Sequence, residues 1–567
     1  MDWEKVAKTK RDSVNALIPE DWQVQKPIPS ADQQRDVTGK YIQEYLNAKE
    51  IEITETDAAG IVQRTCAGEW KARDVTEAFC HRAAIAHQLV NCLHEIFFDG
   101  ALQDAQRLDD YYATHKRPIG PLHGLPISLK DQFHVKGVET TMGYVGWIGT
   151  FQGQKNTGKE RVFESEMVKE LKSMGAVLYC KTSVPHTLMT GETVNNIIGY
   201  TWNPKNRHLS SGGSSGGEGA LVGLKGSPLG FGTDIGGSIR IPAVFNGLYG
   251  IKPSAGRLPY EGMANSMDGQ NSMLSVVGPI AHSPASLRLV IKSVLSQQPW
   301  LHDPLVHELP WRNEQEDQIM EQIKAAGGGA GGLAFGVLRH DGTVMPQPPV
   351  RRAIDVATGA LQKMGHKIVE WNPPSHERGN AIALTTYMYD GGKDIYDALA
   401  LSGEPVVKQL EIKEAFEQMN GSKIAATNVQ KREYQKDYME YWNGTKDISG
   451  TGRPVEAFIM PLAPFPAARP ETFKYYGYST IVNLLDYTAV VVPVTRADKT
   501  VDLVDADYKP INDYDKAVWE HYDPEIYDGA HVGVQIVGRR LQEEKVLVLA
   551  EIIGEALAKD GGRKASL

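Results

Sequence analysis

The chain has 567 residues, of which 41% are hydrophobic and 23% charged, and this composition is that of a globular protein, not of a disordered or fibrous one. Its formal net charge of -10 argues against a nucleic-acid partner and against attachment to acidic lipids through a basic patch. The four cysteines (Cys66, Cys80, Cys92 and Cys180) form no CxxC pair, so the sequence predicts reduced thiols and no zinc site.

Residues 1–60 are polar with short amphipathic stretches and predict an N-terminal helical arm. The rest of the chain, residues 61–567, predicts one domain with its core motifs in residues 120–260. The N-terminus has no apolar leader segment, and no run reaches the about 18 apolar residues of a membrane-spanning helix. We therefore expect a cytoplasmic protein without a spanning segment.

The first predicted helix of the domain begins at Asp74, with Glu77 three residues later in the manner of a capping box. Its apolar positions recur at helical spacing and predict one buried face, formed by Val75, Phe79, Ala83, Ala86 and Val90. Helices over residues 101–114 and 160–174 and strands over residues 127–133 and 176–181 follow. This alternation of strands and helices predicts an α/β architecture.

A block rich in glycine and serine comes next, over Ser210–Gly219 and Gly230–Arg240. A flexible linker would have such a composition, but it would lack apolar anchors such as Ile235, Ile239 and Ile241. The chain as a whole has 56 glycines, which is above the usual share of about 7%. We interpret the excess as backbone shaped around a ligand.

A second glycine-rich segment, Ala325–Gly332, contains the spacing G-x-G-x-x-G. A helix is predicted before it and a strand after it, which is the reverse of the dinucleotide-binding order, so we expect a loop. Further along, the predictions are helices over residues 351–364, 431–442 and 541–557 and strands over residues 366–371, 488–494 and 532–537. Tyr434, Tyr438 and Tyr441 share one side of their helix, and we expect that side to be packed.

Three residues are candidates for chemistry: Lys130 in an apolar strand, Ser214 between glycine pairs, and Ser238 after the run Asp234-Ile235-Gly236-Gly237. A serine hydroxyl is a weak nucleophile until a neighbouring base takes its proton. A lysine is such a base only when burial keeps it neutral, and the alternative is a strand lysine that extends to water. The glycines before Ser238 allow either an oxyanion hole or a simple turn before a helix.

A different reading makes Ser214 the nucleophile. Gly212–Gly216 fits the G-x-S-x-G elbow of α/β-hydrolases, which would then use a later histidine such as His521 or His531 in an esterase. No H-E-x-x-H or P-loop sequence occurs, so zinc-protease and P-loop functions have no support. The residues alone do not decide between Ser214 and Ser238, and a binding protein without activity is a third possibility.

A resemblance to a known family decides between Ser214 and Ser238. Gly212–Gly219, Thr233–Pro242 and Lys130 within His123–Gln132 resemble the motifs of the amidase signature family, and the two serines are 24 residues apart, as is usual in that family. Further segments resemble fungal acetamidases and general amidases: Ala78–His87, Lys181–Ile198, Gly256–Gly269 and Ala530–Leu541. Residues Val184-Pro185-His186 after Lys181–Ser183 differ from the acidic pair of the glutamine amidotransferase branch.

The resemblance implies an amide hydrolase with a Ser-cisSer-Lys triad. Ser238 would form the acyl-enzyme, Ser214 would relay the proton and Lys130 would be the base. The oxyanion would be bound by backbone N–H groups of Ile235, Gly236, Gly237 and Ser238. The other implied roles are a substrate contact at Leu188 and support of the site by Gly213, Asp234 and Arg240.

The resemblance also implies a fold, which is a large mixed β-sheet flanked by helices on both faces. It implies no cofactor and no metal, a small-molecule amide as substrate, and it allows a homodimer. The expected activity is acetamidase-like. The alternatives are a fatty-acid or aryl amide hydrolase of the same family and the α/β-hydrolase-type esterase that uses Ser214.

Overall fold

An eleven-stranded mixed β-sheet runs through the computed structural model, which describes residues 2–326 and 332–559. The strands are β1 (Leu93–Ile96), β2 (Pro126–Lys130), β3 (Val177–Thr182), β4 (Val194–Asn195), β5 (Gly199–Tyr200), β6 (Leu229–Asp234), β7 (Tyr249–Lys252), β8 (Val276–Ala281), β9 (Ala334–Val337), β10 (Lys367–Glu370), β11 (Ala457–Met460), β12 (Ala489–Arg496) and β13 (His531–Val537). The strand order is β1-β3-β2-β6-β8-β7-β12-β13-β11-β9-β10, and β4 and β5 form a separate hairpin. Strand β2 is parallel to both β3 and β6, whereas β6 and β8 are antiparallel.

Helices pack around this sheet. They are α1 (Trp3–Asn15), α2 (Lys40–Gln43), α3 (Ala48–Glu55), α4 (Ala58–Cys66), α5 (Ala72–Val90), α6 (Phe98–His115), α7 (Glu166–Ser173), α8 (Gly216–Gly223), α9 (Arg240–Phe245), α10 (Pro284–Ser296), α11 (Asn313–Ala326), α12 (Pro348–Lys363), α13 (His376–Tyr387), α14 (Lys393–Ala400), α15 (Gly421–Gly444), α16 (Gly477–Leu485), α17 (Asp513–Glu520), α18 (Pro524–Tyr527) and α19 (Glu543–Lys559). Within the described residues, no helix is both long and apolar enough to cross a bilayer.

The sheet is buried on both faces. In β11, Ala457 and Ile459 belong to one apolar cluster, whereas Phe458 and Met460 belong to another. Successive residues of a strand point to opposite faces, so the two clusters lie on opposite sides of the sheet. The predicted α/β fold with a large mixed sheet and helices on both faces is confirmed.

The predicted buried face of the first domain helix is correct, and its predicted start is wrong. All five apolar positions are buried, but α5 begins at Ala72 and Lys71 precedes it without a side-chain cap. Instead, the carboxylate of Asp109 on α6 accepts hydrogen bonds from the N–H groups of Ala72 and Arg73. A carboxylate from a neighbouring helix therefore caps α5, and Asp74 lies inside its first turn.

Other boundaries differ by several residues. Strand β2 ends at Lys130 and not at residue 133, and α7 starts at Glu166 and not at residue 160. The Ala325–Gly332 segment begins with the end of α11, and its residues 327–331 lie outside the described residues. Tyr434 and Tyr438 are fully buried on α15 and Tyr441 packs partly buried against the same cluster, so the predicted packed face is confirmed. The four cysteines are free thiols, three of them buried.

Candidate active site

Lys130 lies where the carboxyl-terminal ends of strands β2 and β6 come together. Strands β2 and β6 are parallel neighbours, so their carboxyl-terminal ends lie side by side. Lys130 is the last residue of β2, and its Nζ lies 2.7 Å from Ser214 Oγ and 2.8 Å from Thr233 Oγ1. The hydroxyl of Thr233 in turn lies 2.5 Å from Gln132 Oε1. The sheet thus brings together the lysine and one of the two candidate serines.

Lys130 is completely buried. Burial disfavours the charged amine and lowers the pKa of Lys130 to about 7, although the carboxyl groups of Asp234 and Glu218 oppose this shift. One of these two carboxyl groups, that of Glu218, accepts hydrogen bonds from the hydroxyls of Ser128 and Thr182. Burial raises the pKa of Glu218 to about 8, so this side chain is mostly protonated at neutral pH and Asp234 is the carboxylate whose charge opposes the shift there. Lys130 can therefore be a neutral base near pH 7.

The peptide bond between Gly213 and Ser214 is cis, as the family resemblance implies. A side chain at residue 213 would meet backbone atoms of Thr190 and Glu192, whose distances to a Cβ there would be 2.5 and 2.9 Å. Only glycine fits at this position. The segment over residues 190–192 therefore packs directly against the backbone that presents Ser214.

Ser238 lies in the loop between β6 and α9 and is 9% exposed. Its backbone carbonyl accepts a hydrogen bond of 3.2 Å from the N–H of Ser215. This bond joins the loop of Ser238 to the loop of Ser214. The two candidate serines consequently belong to one connected structure around Lys130.

Asp234 organises the loop that contains Ser238. Its carboxylate accepts hydrogen bonds from the N–H of Gly237 at 2.8 Å and of Ile239 at 3.2 Å, and it pairs with the guanidinium of Arg240. Burial opposes ionisation of Asp234, but the charge and hydrogen bonds of Arg240, together with Asn483, hold its pKa at about 2. Asp234 is thus a permanent anion around which the loop folds.

This arrangement divides the candidate oxyanion donors into two groups. The N–H of Gly237 already donates to Asp234, whereas those of Ile235, Gly236 and Ser238 have no acceptor within the described part of the chain. Gly237 has a φ of +123°, which strongly favours glycine. Of the four donors that the resemblance implies, three make no hydrogen bond among the described residues, and their role toward substrate stays a prediction.

Leu188 lies in an apolar cluster. It is 8% exposed and shares the cluster with Tyr144, Trp147, Val184 and residues of α14. Its φ of +62° is a left-handed conformation that is uncommon for leucine. Whether Leu188 touches substrate stays a prediction.

The structure does not support the elbow that would make Ser214 a nucleophile of the α/β-hydrolase type. That elbow joins a strand to a helix, but the residues before Ser214 form only an isolated bridge between Trp202 and Ser210. The Oγ of Ser214 lies beside a lysine and not beside a histidine. The ring of His531 lies against Gly247 instead.

Sequence reasoning missed several residues that support the site. Gln132 and Thr233 belong to the recognised motifs, so their positions in the chain were a signal for them. Glu218 and Gln535 likewise lie inside recognised segments, Gly212–Gly219 and Ala530–Leu541. The others come from distant parts of the chain and have no local signal: Asn483 beside Arg240, and Tyr387 and Ser479 beside the glycines.

Comparison with known proteins identifies the family. The family model named Amidase matches residues 74–547. The chain belongs to the amidase signature family. This amidase is therefore an enzyme that hydrolyses amides.

Sequence alignments with individual relatives extend over nearly all of this amidase. It is 47% identical to an acetamidase of Emericella nidulans over 98% of both chains, and 46% identical to an acetamidase of Aspergillus oryzae over 98% of this chain and 99% of that protein. Among solved structures, a fatty acid amide hydrolase is 32% identical, with a TM-score of 0.89 over 98% of this chain and 95% of the other. A peptide amidase at 19% identity and a TM-score of 0.65 shares the fold.

Proposed function

We propose that this amidase hydrolyses small carboxylic amides through an acyl-enzyme formed on Ser238. The resemblance of the motifs favours this nucleophile, and the acetamidase relatives favour a small acyl group. The observation that carries the proposal is the contact of 2.7 Å between the buried Lys130 Nζ and Ser214 Oγ. A buried neutral amine next to a serine hydroxyl is the start of a proton relay.

Acylation begins when the Oγ of Ser238 attacks the amide carbonyl carbon. Its proton passes to the Oγ of Ser214, whose own proton passes to the neutral Nζ of Lys130. The negative charge on the former carbonyl oxygen is stabilised by the N–H groups of Ile235, Gly236 and Ser238.

The tetrahedral intermediate then collapses and the C–N bond breaks. Lys130 returns the proton through Ser214 to the leaving nitrogen, which departs as ammonia or an amine. Water attacks the resulting ester of Ser238 and gives its proton to the same relay, so that the acid and the free hydroxyl of Ser238 are released. Lys130 is a base in one half of each step and an acid in the other.

The first test is ammonia release from primary amides, from acetamide to long-chain fatty amides. We expect the rate to be highest for short chains and Ser238→Ala to abolish it. Ser173→Ala is the matched control, because Ser173 is exposed and its hydroxyl bonds only within α7 and to a nearby glutamine. Near-wild-type activity in Ser238→Ala would contradict the assignment of the nucleophile.

The same series tests a second candidate function. The likeness to a fatty acid amide hydrolase favours long acyl chains. If the rate rises with chain length or with aromatic bulk, the substrate is a lipid or aryl amide and the small-amide proposal fails. The catalytic roles of Ser238, Ser214 and Lys130 would be the same in either case.

We also propose that the enzyme acts in the cytoplasm, where its free thiols would stay reduced. The homodimer that the sequence analysis allows remains a prediction, and light scattering after gel filtration measures it directly.

A further inference from the structure

Two hydroxyl groups from outside the Ser238 loop hold successive peptide groups of that loop. The hydroxyl of Tyr387, the last residue of α13, donates a hydrogen bond of 2.6 Å to the carbonyl oxygen of Ile235. The hydroxyl of Ser479 on α16 donates a bond of 2.6 Å to the carbonyl oxygen of Gly236. Both donors are more than 140 residues away in the chain.

These two bonds have different consequences because the peptide group is planar. In a trans peptide, the C=O of one residue and the N–H of the next point in opposite directions. Holding the carbonyl of Ile235 therefore fixes the direction of the Gly236 N–H. Holding the carbonyl of Gly236 fixes the Gly237 N–H, which donates to Asp234 within the loop.

We propose that Tyr387 is a positioning residue that orients the N–H of Gly236 toward the oxyanion. The proposal rests on the proposed acyl-enzyme mechanism, in which this N–H stabilises the transition state. Ser479 holds the neighbouring peptide, but the donor that it orients serves the loop and not the substrate.

The surroundings of Tyr387 support this role. A Cβ on Gly236 would lie 3.0 Å from the Tyr387 hydroxyl oxygen and 3.7 Å from Thr480 Oγ1, so a larger residue at 236 would press on the hydrogen bond. The ring of Tyr387 packs against an apolar cluster that also contains Ile382 and Ile481. Burial raises the pKa of Tyr387, so its hydroxyl keeps its proton and remains a donor over the working pH range.

The test is Tyr387→Phe, which removes one hydroxyl and keeps the ring. Loss of a whole oxyanion donor lowers kcat by roughly 10²–10³-fold, and a donor that is present but misdirected should cost about 10- to 100-fold. We expect this loss in kcat with KM within about threefold of wild type, because the N–H bonds the oxyanion more strongly than the ground-state carbonyl. A residue that only stabilised the fold would lower the melting temperature without this fall in kcat at nearly constant KM.

The matched control is Tyr389→Phe. Tyr389 is buried and lies two residues away, but its hydroxyl has no hydrogen-bond partner among the described residues. We expect wild-type kcat and KM for this variant. Ser479→Ala should lower the melting temperature and leave kcat closer to the wild-type value than Tyr387→Phe does.

A second readout is inhibition by the aldehyde that has the acyl chain of the amide assayed. Its adduct with Ser238 places an oxygen at the oxyanion position. We expect Tyr387→Phe to weaken this inhibitor by the same factor as kcat/KM. If Tyr387→Phe does not fold, Gly236→Ala replaces it: its Cβ would lie 3.0 Å from the Tyr387 hydroxyl oxygen, so the hydroxyl must shift, and kcat should fall while KM stays near wild type.

Activity of Tyr387→Phe within about twofold of wild type, or a loss that appears only in KM, would overturn the proposal. Ser238→Ala separates this failure from failure of the mechanism. If Ser238→Ala is inactive while Tyr387→Phe is normal, only the role of Tyr387 is wrong. If Ser238→Ala is active, the proposed mechanism fails and the role of Tyr387 fails with it.

Discussion

Lys130 and Asp234 are both completely buried, yet one is a weak base and the other a permanent anion. Burial disfavours the charged form of each group, and the partners decide the result. Lys130 faces the hydroxyls of Ser214 and Thr233, which carry no charge. Asp234 faces the guanidinium of Arg240 and backbone N–H groups, which stabilise its charge. Burial with these different partners thus makes Lys130 a proton acceptor and Asp234 a fixed anion that holds the loop.

The pH dependence of turnover follows from the state of Lys130. The relay needs the neutral amine, which predominates above a pKa of about 7. We therefore expect kcat/KM to rise by about tenfold per pH unit below pH 7 and to level off above it. Rates measured from about pH 5 to about pH 10 in overlapping buffers test this.

Lys130→Met is the control for the pH profile. It should lose orders of magnitude of activity, and the remaining rate should show no inflection near pH 7. A wild-type profile that is flat to acidic pH would contradict the role of Lys130 as base.

At the scale of the element, helix α8 explains part of the glycine excess. Gly217 faces backbone atoms of neighbouring segments, so that a Cβ there would lie 2.6 Å from the Ser183 carbonyl oxygen and 2.7 Å from that of Cys92. A Cβ on Gly219 would lie 2.6 Å from the side-chain nitrogen of Asn246 and 2.9 Å from the carbonyl oxygen of Pro242. The glycines after Ser214 therefore let a buried helix approach its neighbours closely, whereas those before it shape the loop. The sequence analysis ascribed the whole block to a ligand.

Gly217→Ala tests this close packing. Backbone atoms cannot move aside as a flexible side chain can, so we expect a loss of about 1–3 kcal/mol or more in the free energy of unfolding. Urea unfolding of the purified variant measures it. Gly359→Ala on α12 is the control, because nothing lies within 4 Å of a Cβ there, and it should stabilise the fold by about 0.5–1 kcal/mol. Equal stability of the two variants would contradict the account.

At the scale of the whole molecule, the N-terminal segment is joined to the sheet by a buried ion-pair cluster. Lys10 on α1 is 9% exposed at its side chain and pairs with Glu95 of β1 at 2.6 Å and with Glu139 at 2.7 Å. Arg161 also pairs with Glu139. Burial raises the pKa of Glu95 to about 7, although Lys10 opposes the shift. The charge of Lys10 therefore links the first helix to the body of the enzyme.

Lys10→Met should destabilise the protein by about 3–5 kcal/mol, because it leaves Glu95 buried without its cation. Without Lys10, the pKa of Glu95 rises further, so the folded state holds a proton that the unfolded state releases. Stability then falls as pH rises, and we expect a larger deficit at about pH 8 than at about pH 6. Thermal unfolding at the two pH values measures this.

The control for Lys10→Met is Lys8→Met on the same helix. The Lys8 side chain is 69% exposed and pairs with Asp12 at the surface, where an ion pair contributes about 0–1 kcal/mol. A deficit of Lys10→Met that matches this control, or that shrinks as pH rises, would show that the cluster does not hold the segment.

The sequence by itself determined the α/β class, the family and the three candidate residues, because helical spacing and motif spacing are local properties of a chain. It also predicted the packed tyrosine face of α15. It failed where distant groups replace local ones, as at the start of α5, where Asp109 and not Asp74 caps the helix.

Only the tertiary structure decided the chemistry of the candidate site. The sequence left open whether Lys130 reaches water or is buried, and the pKa depends on solvation, which is a property of the folded surroundings. The sequence could not show that a hydroxyl from α13 holds the peptide before Gly236. Hydrogen bonds between segments more than 100 residues apart form only when the sheet and its helices place them together, so no local pattern records them.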